Sequence, residues 1–132
     1  MKIIDGKNAV LGRLASYTAK EALKGEEIII VNSEEVIITG NKKDIKEHFE
    51  AKRGRMGSGQ RGPKIHRSSE KIVKRAIRGM LPEHRRGRGK EAFQRIKCYN
   101  GIPKEFEDKK IIKFGEEKTT KFIKVREVFK WE

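Results

Sequence analysis

The sequence predicts an α/β fold in a single domain over residues 1–132, with a mainly parallel sheet. Three observations predict it. Ile28-Ile29-Ile30-Val31 is a continuous apolar run, and such runs suit a strand buried on both faces, as in parallel sheets. Two apolar runs, Ile3-Ile4 and Ile28–Val31, flank a stretch of helical periodicity, and strand–helix–strand order implies a parallel crossover. Finally, 132 residues with 35% hydrophobic and 39% charged content suit one modest core under a heavily ionised surface, since domains average about 25% charged residues.

The elements follow in order. Ile3-Ile4 opens the first strand. Asn8 is a candidate N-cap for a helix over about 9–24. Leu11, Leu14, Ala15, Thr18 and Ala22 share one face of it, and Gly25 is its stop. After Ile28–Val31, residues 32–35 read as a turn and 36–39 as a further strand. Asn41 can cap a short helix in which Ile45 and Phe49, four apart, share a face. Residues 52–66 then break pattern, with Gly54, Gly57, Gly59, Gly62 and Pro63 among Arg and Lys. Alone, this basic Gly/Arg-rich loop buries too little to offset its ordering entropy, so mobility is expected.

Ser68 or Ser69 can cap the next helix, which runs to about Arg78 with Gly79 as its stop. Ile72, Val73, Ala76 and Ile77 form its apolar stripe. Lys71, Lys74, Arg75 and Arg78, at i, i+3, i+4 and i+7, form the opposite stripe. Pro82 suits the first turn of a helix over roughly 83–94, although Gly87 and Gly89 weaken its beginning. Ile96-Lys97-Cys98-Tyr99 reads as a last sheet strand. Beyond Pro103 the chain turns irregular. A strand followed by a short helix is expected within 121–131, and 107–132 reads as a C-terminal extension.

Charge is the most informative feature. The formal net charge is +14. Residues 52–90 hold fourteen Lys or Arg against two acids, Glu70 and Glu83, and so carry +12, while the flanks, with 19 bases and 17 acids, carry +2. A charge run is often a solvated face or a disordered tail. This one is internal and contains a patterned helix. It points to a polyanion, with nucleic acid ahead of an acidic membrane. Arg53-Gly54-Arg55, Arg61-Gly62 and Arg86-Gly87-Arg88-Gly89 combine guanidinium groups with glycines that let backbone approach phosphate. The segment 52–90 has no aromatic residue. Single-strand binders stack bases on aromatic rings, so folded, phosphate-rich RNA or duplex is the better fit. No helix-turn-helix, zinc finger or zipper is evident.

Other chemistries find little support. Cys98 is the only cysteine, so internal disulfides and Cys-based zinc sites do not arise. Its mid-strand setting suggests a packed, inert thiol. His48, His66 and His84 lack metal-ligand spacing. His48 reads as a helix-surface residue, and His66 and His84 as polar contacts within the basic region. Gly57-Ser58-Gly59-Gln60-Arg61-Gly62 matches G-x-G-x-x-G literally but lacks the preceding strand and following helix that a dinucleotide site needs. No P-loop sequence occurs, and no catalytic acid pair is nominated. The N-terminus has no signal-peptide core and no apolar run approaches a bilayer span. A cytoplasmic protein with no metal, no cofactor and no membrane partner is expected.

These motifs together resemble a known family. Ile4-Asp5, Leu11-Gly12-Arg13-Leu14-Ala15-Ser16, Val31-Asn32 and Ile38-Thr39-Gly40 begin the match. Arg61-Gly62-Pro63, His66-Arg67, Arg78-Gly79-Met80-Leu81-Pro82, Arg86-Gly87 and Gly101-Ile102-Pro103 complete it. The chain resembles the universal large-subunit ribosomal protein family L-thirteen, in its archaeal and eukaryotic form, from the N-terminus to about residue 106. The resemblance implies a compact domain with a four-stranded parallel sheet between helices. It further implies no enzymatic activity, binding to large-subunit ribosomal RNA, a role in subunit assembly, and neighbouring large-subunit proteins as partners. Off the ribosome a monomer is expected. The RNA-facing positions would be Arg13 and, within the basic segment, Arg53, Arg55, Arg61, Lys64, His66 and Arg67. Lys71, Lys74, Arg75, Arg78, Arg85, Arg86, Arg88 and Lys90 would join them. The family usually has proline near Ser69, so serine is expected to cap the basic helix here. An RNA-binding regulator acting off the ribosome, or an RNA-processing enzyme, would use the same surface differently. Recovery of mainly messenger RNA would mark the first, and turnover of RNA with Mg²⁺ the second.

Overall fold

In the computed structural model, residues 1–55, 59, 62, 65–116 and 120–129 are described. Their elements run β1 (Lys2–Asp5), α1 (Leu11–Leu23), β2 (Ile28–Val31), β3 (Ile37–Thr39), α2 (Lys42–Arg53), α3 (Ser69–Arg78), α4 (Gly87–Gln94), β4 (Ile96–Cys98), β5 (Ile112–Lys113) and β6 (Phe122–Lys124). Short 3₁₀ turns stand at Ser33–Glu35, Lys104–Phe106 and Val125–Glu127.

Four strands form a parallel sheet in the order β4-β2-β1-β5. Register pairs Ile3 with Ile29, Ile4 with Ile30 and Ile30 with Cys98. Every residue of β2 is buried, as its unbroken apolar run requires. Alternation sends Ile4, Ile28 and Ile30 to a core shared with Leu14 and Ala15 of α1, Ile72, Val73 and Ile77 of α3, and Ala92 of α4. Ile3, Ile29 and Val31 face the other way, under Phe106, with Tyr99 and Ile111 beside them. The expected four-stranded parallel sheet with flanking helices is therefore present, and its second face is closed by the segment after β4.

One strand stands apart. Residues 36–39 form the further strand expected there, but β3 lies outside the main sheet and pairs antiparallel with β6. The fourth position in the main sheet goes to β5, which pairs with β1 through Ile4 and Ile112. Only two residues long and exposed, β5 carries too short a pattern to stand out in the sequence. The irregular reading beyond Pro103 thus misses a sheet strand, whereas the strand and short helical turn expected within 121–131 correspond to β6 and Val125–Glu127.

Several caps also differ from expectation. Asn8 does not cap α1. It adopts left-handed φ of 60°, and Val10 occupies the N-cap position without a side-chain bond. The stop at Gly25 is as expected. Its φ of +101° lets its N–H reach Ala22 O at 3.1 Å while Glu26 N–H reaches Glu21 O at 3.3 Å, the paired bonds of a Schellman motif. Asn41 caps α2, its side chain accepting from Lys43 N at 3.0 Å. Ser68 holds the N-cap position of α3, but its side chain makes no capping bond. α4 begins at Gly87, later than the Pro82 start suggests. There Gly89 lies against the Pro82 and Glu83 carbonyls, and a Cβ would collide with both.

The motifs near the strand ends brace one another. Asp5 Oδ1 accepts from Asn32 Nδ2 and from Lys7 N, both at 2.9 Å. Asn32 N donates to Gly101 O, and Gly101 N donates to the Glu34 carboxylate at 2.9 Å. The ends of β1 and β2 are thereby tied to the loop after β4.

Candidate nucleic-acid interface

α3 is built by its two stripes. Ile72, Val73 and Ile77 are buried against the sheet and α1, which turns Lys71, Lys74, Arg75 and Arg78 away from the core. They do not form an open solvated stripe, however. Lys71 is exposed, whereas Lys74, Arg75 and Arg78 are half-buried. All four line a cavity of about 190 Å³ beside the helix, together with Ile65, His66, Ile72 and Phe93. Phe93 comes from α4. Lys74 Nζ stands 4.8 Å from its ring centroid, a distance suited to cation–π attraction. The His84 ring lies 6.2 Å from the same phenyl group, tilted by 54°.

Phe93 is the residue that the sequence reading misses. Counting aromatics only within 52–90 excludes it by three positions, yet folding brings it into the lining of the α3 cavity, beside Lys74. A signal did exist, because Lys90 and Phe93 are three apart on one short helix and so share a face.

The remaining expected contacts lie on other segments. Arg53 ends α2, and Arg55 follows it. Arg67 lies beside His66 before α3, Arg85 and Arg86 precede α4, and Arg88 and Lys90 lie on it. All of these cations are exposed. Arg13 stands apart. It lines a second cavity, of about 200 Å³, with Asn8, Val10, Phe114 and Glu116. Arg61, Lys64 and most of the Gly57–Gly62 motif lie outside the described residues.

Outside the basic segment, ion pairs join Lys2 and Lys24 to Glu21, Lys124 and Arg126 to Glu35, and Arg95 to Glu91. Among the described residues, no ion pair involves Arg53, Arg55, Arg67, Lys71, Lys74, Arg78, Arg85, Arg86, Arg88 or Lys90. Glu70, one of the two acids in the basic segment, accepts from Asn100 Nδ2 at 2.7 Å.

The other candidates are chemically quiet. Burial pushes the Cys98 thiol up to about 12, so it stays protonated at neutral pH. His48 is exposed on α2. The described residues contain no cluster of three or more His, Cys, Asp or Glu placed to hold a metal ion, and no helix long and apolar enough to cross a membrane.

Comparison with known proteins decides the family. A model of the ribosomal protein L13 family matches residues 1–105. The chain belongs to the ribosomal protein L13 family. Among its relatives, the large ribosomal subunit protein uL13 of Methanocaldococcus jannaschii is 45% identical over 134 aligned residues, covering 98% of this chain and 96% of that protein. The uL13 protein of Thermoplasma volcanium is 43% identical, covering 93% and 89%. That of Methanococcus maripaludis is 48% identical, covering 78% and 77%. The family match ends where the resemblance in the sequence ends, near residue 105. The alignment to the M. jannaschii protein carries on into the segment that supplies β5 and β6. Members of this L13 family are structural, non-enzymatic ribosomal components.

Proposed function

We propose that the chain is a cytoplasmic structural constituent of the large ribosomal subunit that binds large-subunit ribosomal RNA and supports subunit assembly. The binding surface is α3, α4 and their approaches, with Arg13 as a separate contact and Arg61 and Lys64 completing the basic segment. The observation that carries this reading is the segregation of charge. The flanks balance 19 bases with 17 acids, some of them joined in ion pairs, while the cations of 52–90 stand with two acids against fourteen bases. Fixed positive charge of this density is favourable beside a phosphate backbone and costly without one. Phosphate contacts position the protein, and shape rather than sequence is read.

Neighbouring large-subunit proteins are the other partners. Away from the subunit the chain is a monomer, since a net charge of +14 opposes self-association. The test is sedimentation of the native protein. It should travel with large subunits and leave them at high salt. If about 6–10 phosphates are contacted, raising salt from about 50 to about 200 mM lowers affinity by about 10³–10⁵, using the duplex-DNA rule as a guide. Protein found mostly free at low salt would overturn the proposal.

A further inference from the structure

The cavity between α3, α4 and residues 65–66 has a composition that phosphate binding alone does not explain. Its cations, Lys71, Lys74, Arg75 and Arg78, share the lining with three apolar groups, Ile65, Ile72 and Phe93. A phosphate gains nothing from apolar side chains, which only keep water from it. A planar base gains from them directly, because every base has a face that stacks on an aromatic ring. The volume of about 190 Å³ is smaller than the roughly 300–1,000 Å³ of sites for drug-sized ligands. It is too small for a helix and of the scale of one ring system.

Resting on the RNA-binding reading above, we propose that this cavity receives one unstacked RNA nucleotide, its base against Phe93 and its phosphate on Lys74 and Arg78. In the RNA-free protein Lys74 Nζ covers the ring at 4.8 Å. It holds the place that the base takes. When the base enters, the ammonium moves off the ring to the phosphate of the same nucleotide, exchanging a cation–π contact for a charge-assisted hydrogen bond. The surface thus reads one structural feature of folded RNA, a nucleotide extruded from a helix, where bare cations would read only the backbone.

Three synthetic RNA stems test this with the full-length chain. One is fully paired, one carries a single bulged adenosine, and one carries an abasic residue at the bulge. The wild type should prefer the bulged stem and bind the abasic stem like the paired one. Phe93→Leu keeps apolar bulk but removes the aromatic face. It should lower affinity for the bulged stem by about 5- to 150-fold, the worth of one base–aromatic stack, and change binding to the other two little. Phe93→Tyr should retain the preference. An equal effect of Phe93→Leu on all three stems, or equal wild-type binding to the bulged and abasic stems, overturns the pocket while leaving RNA binding intact. Binding to none of them in dilute buffer removes both. Circular dichroism checks the fold of the variants, and if Phe93→Leu fails to fold, the wild-type comparison of bulged and abasic stems decides alone.

Discussion

Glu35 accepts a hydrogen bond from Lys124 Nζ at 2.7 Å, across 89 positions of sequence. Its second carboxylate oxygen accepts from Arg126 at 2.9 Å. The same region holds the β3–β6 ladder, so one carboxylate fastens the C-terminal segment beside the strand that lies outside the main sheet. Replacing Glu35 with Ala should lower stability by about 1 kcal/mol, solvent at Arg126 screening part of the attraction. Hydrogen exchange should quicken first at the amides of β6. An unchanged urea midpoint would show that the β ladder alone holds this segment.

The same ion pair sets a pH dependence. The hydrogen bond from Lys124 holds the Glu35 carboxyl below its ordinary value of 4.5, and that from Lys2, followed by that from Lys24, does the same for Glu21. A carboxyl depressed in the folded state binds its proton more readily when unfolded. Its contribution is therefore present above the ordinary carboxylate value and is lost as pH falls through the depressed one. Urea midpoints measured from about pH 7 to about pH 3 should fall on the acid side, and Glu35→Gln should make that fall shallower. Parallel curves for variant and wild type would contradict the assignment.

Reversing charge at Arg75 and Arg78 tests the proposed surface. Both side chains lie on the half-buried wall of the α3 cavity, off the apolar stripe that packs on the core. Arg75→Glu with Arg78→Glu should weaken binding to ribosomal RNA. The magnitude of the salt slope should drop by about one for each phosphate that the variant no longer neutralises. Far-ultraviolet circular dichroism should be retained. Unchanged affinity would place the RNA elsewhere.

Two glycines should respond to alanine with opposite sign. At Gly89 a Cβ meets the backbone carbonyls of Pro82 and Glu83, which cannot swing aside as a flexible side chain would. Gly89→Ala should destabilise by about 1–3 kcal/mol. At Gly12, inside α1, a Cβ meets nothing within 4 Å. Gly12→Ala should stabilise by about 0.5 kcal/mol, through helix propensity and a less free unfolded chain. Thermal melts of the two variants decide it.

Cys98 should resist alkylation in the folded protein. With its thiol raised to about 12 by burial, the thiolate that reacts is scarce at neutral pH. Iodoacetamide should modify it far more slowly than it modifies a free thiol, and urea should abolish the protection. Rapid labelling in native buffer would show the thiol to be accessible and ionised.

The sequence by itself determined the parts whose cause is local. The apolar run of β2 needs cover on both faces wherever it lies. Leu14, Ala15, Thr18 and Ala22 share a helix face by periodicity alone, Gly25 ends α1 because its backbone admits a positive φ, and Asn41 caps α2 from two residues away. The excess of cations over 52–90 is likewise a property of the chain before it folds. Only the tertiary structure decided which strands share the sheet, because β5 is two residues long and gains its place from pairing with β1. It also paired β3 with β6, a partner more than eighty residues further along. Most of all, it set Phe93 and Ile65 among the cations of α3. Charge can be counted along a chain, but a cavity exists only where surfaces from distant segments meet.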